Sequence, residues 1–65
     1  MTPKHAPKVG EVWLWGSPRR EVKIDRVYRL GGEQWVAFVT TLDLVIYDRP
    51  TEMFLRGARP ATASR

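Results

Sequence analysis

EVKIDRVYRLGGEQWVAFVTT, residues 21–41, is the stretch that decides the fold. Two runs rich in Val, Ile, Tyr, Trp and Phe flank Gly31-Gly32, and glycine accepts the positive φ that a tight hairpin turn requires. The stretch therefore reads as a β-hairpin with strands over 21–30 and 34–40. In the first strand Val22 and Ile24 share one face, with Glu21, Lys23 and Asp25 opposite. The next apolar residues, Val27 and Leu30, break the period of two, and a β-bulge or sharp bend near Asp25-Arg26 restores it. In the second strand both faces are apolar, with Trp35, Ala37 and Val39 on one and Val36 and Phe38 on the other.

Working outward, Gly16-Ser17-Pro18, Thr41-Leu42-Asp43 and Arg49-Pro50-Thr51 are turn signals that delimit two more strands, 11–15 and 44–48. Pro50 suits a first helical turn, and the Thr51-Glu52-Met53-Phe54-Leu55 run that follows is the one helical stretch, stopped by Gly57. Ala58-Arg59-Pro60 adds a last short strand. Residues 1–8, with two prolines and two lysines, read as a flexible basic arm, and 61–65 as a disordered tail. The folded unit is 9–60: all-β, five strands, one short helical turn before the last strand. Strand faces apolar on both sides predict that such a small unit cannot hide all its apolar surface.

Composition narrows the function classes. A chain of 65 residues holds one domain, and 43% hydrophobic residues argue against disorder. Cysteine is absent, which excludes disulfides, cysteine-based zinc sites and thiol chemistry. No apolar run approaches the ~20 residues of a membrane span, and the start Met1-Thr2-Pro3-Lys4-His5 carries no apolar signal region, so the expected location is the cytoplasm, with no membrane partner. The net charge of +4 lies wholly in residues 1–9 and 50–65, because residues 10–49 carry six charges of each sign.

The segments VGEVW (9–13), EVKIDRVYRL (21–30), the Gly-Gly turn, WVAFVTT (35–41) and TEMFLRGARP (51–60) together resemble the small SH3-like barrel proteins encoded by bacteria and their phages. That resemblance covers about residues 9–60 and implies a five-stranded SH3-like barrel; members of the group mostly have no known activity. A remoter likeness is to the small-barrel, trimethoprim-resistant plasmid dihydrofolate reductases, whose pore carries a Val-Gln-Ile-Tyr segment. Leu44-Val45-Ile46-Tyr47 stands in a comparable place here, with Val45 where that family has its ligand-contacting Gln.

No catalytic constellation is visible. His5 is the only histidine and has no Ser, Asp or Cys context for proton transfer. A lone His and scattered carboxylates build no metal site, and Gly31-Gly32 lacks the Lys-Ser or Lys-Thr of a phosphate loop. No cofactor and no metal are expected. The aromatics are the better lead. Trp13 and Trp15 project from one strand face; either they point outward as a binding platform, or the alternation runs the other way and they seal the barrel. Trp35 is a third candidate. Arg19 and Arg20, beside Pro18 in the first long loop, read either as the rim of a binding groove or as a solvated loop. These residues suit a non-catalytic module that binds a protein, a second copy of itself included. The alternative is a small barrel that binds nucleic acid, with aromatics stacking on bases and arginines on phosphates. A reductase is the third reading.

Overall fold

The computed structural model describes residues 6–61. Five strands and one short helix follow in the order β1 (Val12–Trp15), β2 (Arg20–Leu30), β3 (Glu33–Thr40), β4 (Ile46–Pro50), α1 (Thr51–Arg56) and β5 (Ala58–Pro60). The strands form one antiparallel sheet in the order β4-β3-β2-β1-β5. The all-β class, the strand count and the helical turn before the last strand are those expected. Closure is not seen: β4 and β5 are the two edges of the sheet, and no ladder between them joins it into a ring. Residues 1–5 of the expected arm and 62–65 of the expected tail lie outside the described residues. Pro7 is buried, and the Lys8 N–H donates to Glu11 Oε1 at 2.9 Å.

β2 and β3 meet through Gly31 (φ 60°) and Gly32 (φ 80°), with Leu30 opposite Glu33. Positive φ at both central positions gives a turn whose twist matches the flanking strands. Further along, the β2–β3 register shifts between Ile24 and Arg26. Val22 and Ile24 face the core before the shift, opposite Thr40 and Phe38. Strict alternation would next turn Arg26 inward. The extra residue hands that place to Val27, which pairs with Val36 and packs on the core, and leaves Arg26 outside.

The core is Trp13, Val22, Ile24, Val36, Phe38, Phe54 and Ala58. Phe54 is its fully buried contribution from α1, and Leu55 packs against it. The Phe54 ring lies 5.3 Å from Trp13 and 4.7 Å from Phe38, so the helix plugs the side of the sheet that no strand closes. Six residues are too few for an autonomous helix. Glu52 in its first turn and Arg56 in its last complement the helix dipole, and Gly57 N–H caps the Phe54 carbonyl at 3.2 Å.

One local reading changes, and one that alternation left open is settled. The fourth strand starts at Ile46 rather than at residue 44, because Leu44 takes a left-handed φ of 58° that ends the extended backbone. In β1 the tryptophans face inward: Trp13 is fully buried, and its indole N–H donates to Glu11 Oε1 at 3.1 Å. Trp13 is thus a core residue and offers no surface to a partner.

Replacing Phe54 by Ala should cost about 3–5 kcal/mol, the range for removing a buried aromatic ring. A urea unfolding curve monitored by tryptophan fluorescence measures it; a loss below about 1 kcal/mol would show that α1 is not part of the core.

Candidate functional site

The β1–β2 and β3–β4 connections lie at the same end of the sheet, since each follows a strand running that way. Between them is a cleft of about 570 Å³, with Arg19, Arg20 and Glu21 on one wall and Thr40, Thr41, Leu42 and Asp43 on the other. A smaller depression of about 210 Å³ adjoins it, lined by Trp15, Pro18 and Tyr47, and Arg20 borders both. The peptide bond between Ser17 and Pro18 is cis.

Of the residues singled out from the sequence, Trp15, Arg19 and Arg20 come together here. Trp15 is half-buried at the rim, edge-on to Phe38 at 4.8 Å and tilted against Tyr47 at 5.0 Å. Arg49 spreads its guanidinium 5.7 Å from both the Trp15 and Tyr47 rings and donates from Nη1 to the Asp48 carbonyl at 2.8 Å. Trp35 stands apart on the outer face. Tyr47, Arg49, Pro18 and Leu42 were not singled out. The contiguous apolar run 44–47 was the signal for Tyr47.

The β3–β4 connection is braced. Thr40 N–H donates to the Val45 carbonyl at 2.9 Å, Leu44 N–H to the Thr40 carbonyl at 2.8 Å, and Val45 N–H to Thr40 Oγ1 at 2.9 Å. Thr40 Oγ1 in turn donates to Asp43 Oδ1. Thr41 ties the loop to β2, its N–H donating to the Glu21 carbonyl at 3.1 Å and its hydroxyl to Glu21 Oε1 at 2.8 Å. This framework holds apolar side chains out in water: Leu42 is 95% exposed, Leu44 73% and Ile46 63%. A left-handed backbone at a leucine adds about 1–2 kcal/mol of strain. Strain and exposed leucines are both costs to stability in this loop.

Charge at this end departs from the neutral count over residues 10–49: Arg19, Arg20 and Arg49 stand against Glu21 and Asp43. The two cleft carboxylates, Glu21 and Asp43, each accept a threonine hydroxyl. Arg19 and Arg20 are exposed, and Arg49 lies against two rings and a carbonyl.

On the outer face Tyr28 Oη donates to Asp48 Oδ2 at 2.6 Å, joining β2 to β4 over the top of β3. Arg26 lies 5.1 Å from the Tyr28 ring, and Trp35 stacks beside that ring at 6.5 Å. Ala37, between Arg26 and Asp48 in the register, is covered by this bridge. The hydrogen bond to Asp48 raises the Tyr28 pKa above its ordinary value, helped by desolvation and by the Asp48 charge and opposed by Arg26.

Among the described residues no group of three His, Cys, Asp or Glu could hold a metal ion, and no helix is long and apolar enough to cross a membrane. The chain matches no protein-family model, no curated protein and no solved structure.

Two outcomes follow from this geometry. In a spectrophotometric titration of tyrosinate, one tyrosine should ionise above the ordinary range, and Asp48→Asn should bring it down. Because the folded pKa is the higher one, the stabilisation from this bond is complete below pH ~10 and is lost as pH rises through the folded value. Replacing Leu44 by Asn, which tolerates the left-handed region, should raise stability by about 1 kcal/mol in urea unfolding; no gain would mean the loop carries no strain.

Proposed function

We propose that this chain is a small non-catalytic binding module that docks a protein partner at the loop end of its sheet. The carrying observation is Leu42, almost wholly exposed at the tip of a hydrogen-bonded loop and facing Arg19 and Arg20 across the cleft. A rigid apolar anchor loses little conformational entropy on docking, and aromatic and arginine side chains are the usual carriers of interface energy. Trp15, Tyr47 and Arg49 extend the surface on one side. The exposed arginines favour a partner segment that carries carboxylates beside an aliphatic side chain.

One observation favours a second reading. Arginine laid over aromatic rings is also how single-stranded nucleic acid is held, bases on rings and phosphates on guanidinium groups. The two readings differ in their response to salt and nuclease. Phosphate contacts make affinity fall steeply between about 50 and 200 mM salt, whereas a dominant apolar anchor does not.

Affinity capture from a host-cell lysate, with and without nuclease, tests both, using wild-type protein and the pair Leu42→Asp and Arg20→Glu. The expected result is a captured protein that survives nuclease and is lost with either substitution, while unfolding midpoints stay within about 0.5 kcal/mol because both side chains are exposed. Capture of nucleic acid that nuclease abolishes would replace the protein reading by the second one. Retention of the same protein by both variants would remove the loop end from either.

A further inference from the structure

The outer face of β2, β3 and β4 carries Trp35, the sequence candidate that neither the core nor the cleft uses. Arg26, Ala37 and Asp48 form one row across the three strands, and Tyr28, Trp35 and Pro50 form the next. Val39 follows Ala37 on the same face, opposite Lys23. Trp35, Tyr28, Val39 and Pro50 are half-buried by their neighbours in the sheet and keep the rest of their apolar surface in water. Contiguous apolar surface of this kind marks an interaction face.

The charges on this face are divided by strand. β2 presents Lys23 and Arg26 with Asp25 between them at the bulge, a net positive flank, and β4 presents Asp48, a negative one. Arg26 and Asp48 stand on either side of Ala37, so their backbones are two strand spacings apart, about 10 Å. Tyr28 lies between them, its ring against the Arg26 guanidinium and its hydroxyl on Asp48 Oδ2. Both charged side chains remain exposed. A surface that complements this face has a negative flank, an apolar centre and a positive flank at the same spacing. The face itself, turned over, is such a surface.

We infer that two copies of this chain pack by this face, sheet against sheet, about a twofold axis that runs along β3. Identical patches can meet about either of two axes lying between the sheets, and charge decides between them. An axis across the strands lays β2 on β2 and β4 on β4, like flank on like flank, which is unfavourable. An axis along β3 lays β2 over the partner's β4. Arg26 then meets the partner's Asp48, Tyr28 meets the partner's Pro50, and Trp35 and Val39 meet their own copies. Strand directions stay within the ~30° common to packed sheets. The face is narrower than a standard interface, which takes about 20 residues or more from each side. The dimer is therefore weak, with a dissociation constant on the order of 10–100 μM. The cleft residues are not part of this face, so the pairing stands or falls independently of the docking reading.

Exchanging the charges tests the axis. Sedimentation equilibrium of the wild-type protein should show a concentration-dependent monomer–dimer equilibrium. Arg26→Glu and Asp48→Arg each set like charges opposite each other and should weaken self-association by more than roughly tenfold. Circular dichroism should stay that of the folded chain, because both side chains are exposed. Mixed together, the two variants restore both ion pairs in a heterodimer, which should form with an affinity within about threefold of wild type. The absence of cysteine allows a second measurement that involves neither charge. Val39→Cys, beside the axis, should cross-link to a dimer with a short bismaleimide, and Met53→Cys, exposed on α1, gives the collisional background. A strict monomer up to about 1 mM, which would leave the face to a different polypeptide, overturns the inference. So does a mixture of the folded variants no more associated than either alone, or equal cross-linking at positions 39 and 53.

Discussion

β2 is eleven residues long and must serve two neighbours, β1 along residues 20–23 and β3 along residues 22–30. A strand of unbroken alternation that points Val22 and Ile24 inward would go on to point Arg26 and Tyr28 inward. The shift of register at Ile24–Arg26 removes that conflict. It lets one strand feed aliphatic side chains to the core from both of its halves, and it sends Arg26 and Tyr28 to the outer face, where the Tyr28–Asp48 bridge and the Trp35 stack are built. The covering of Ala37 presupposes that change of parity.

The hairpin, its glycine turn, the bulge, the helical turn and the last strand were legible because each rests on local chemistry: positive φ, hydrophobic period, proline and glycine punctuation. The direction of β1 was not. Val-Trp-Leu-Trp is apolar on both faces, so alternation alone leaves the choice open, and it is settled by tertiary contacts to Phe54 and Phe38 together with an acceptor for the Trp13 indole at Glu11. The start of β4 was displaced for a similar reason. Nothing in Thr41–Val45 announces that a leucine, rather than a glycine or asparagine, takes the left-handed position.

The site shows the same division. Trp15, Arg19 and Arg20 stand out by residue type in a loop and at its border. Tyr47, Arg49 and Leu42 gain their meaning only when two connections, some twenty residues apart in the chain, are laid side by side. The neutral charge count over residues 10–49 likewise concealed an unequal distribution. Hydroxyl groups hold the cleft carboxylates in place while the neighbouring guanidinium groups stay on the surface. The rings of Trp13, Phe38 and Phe54 secure the fold, while Leu42, Arg19 and Arg20 beside the cleft stay exposed.

The Gly31-Gly32 turn sits at the far end of the sheet from the cleft, and its glycines have open space where a Cβ would go. Segments of foreign sequence are best accepted where the backbone is exposed and free of side-chain packing. An epitope, a paramagnetic tag or a tether spliced in at that bend would leave the opposite rim untouched, giving the molecule a handle by which it can be held with the cleft facing away.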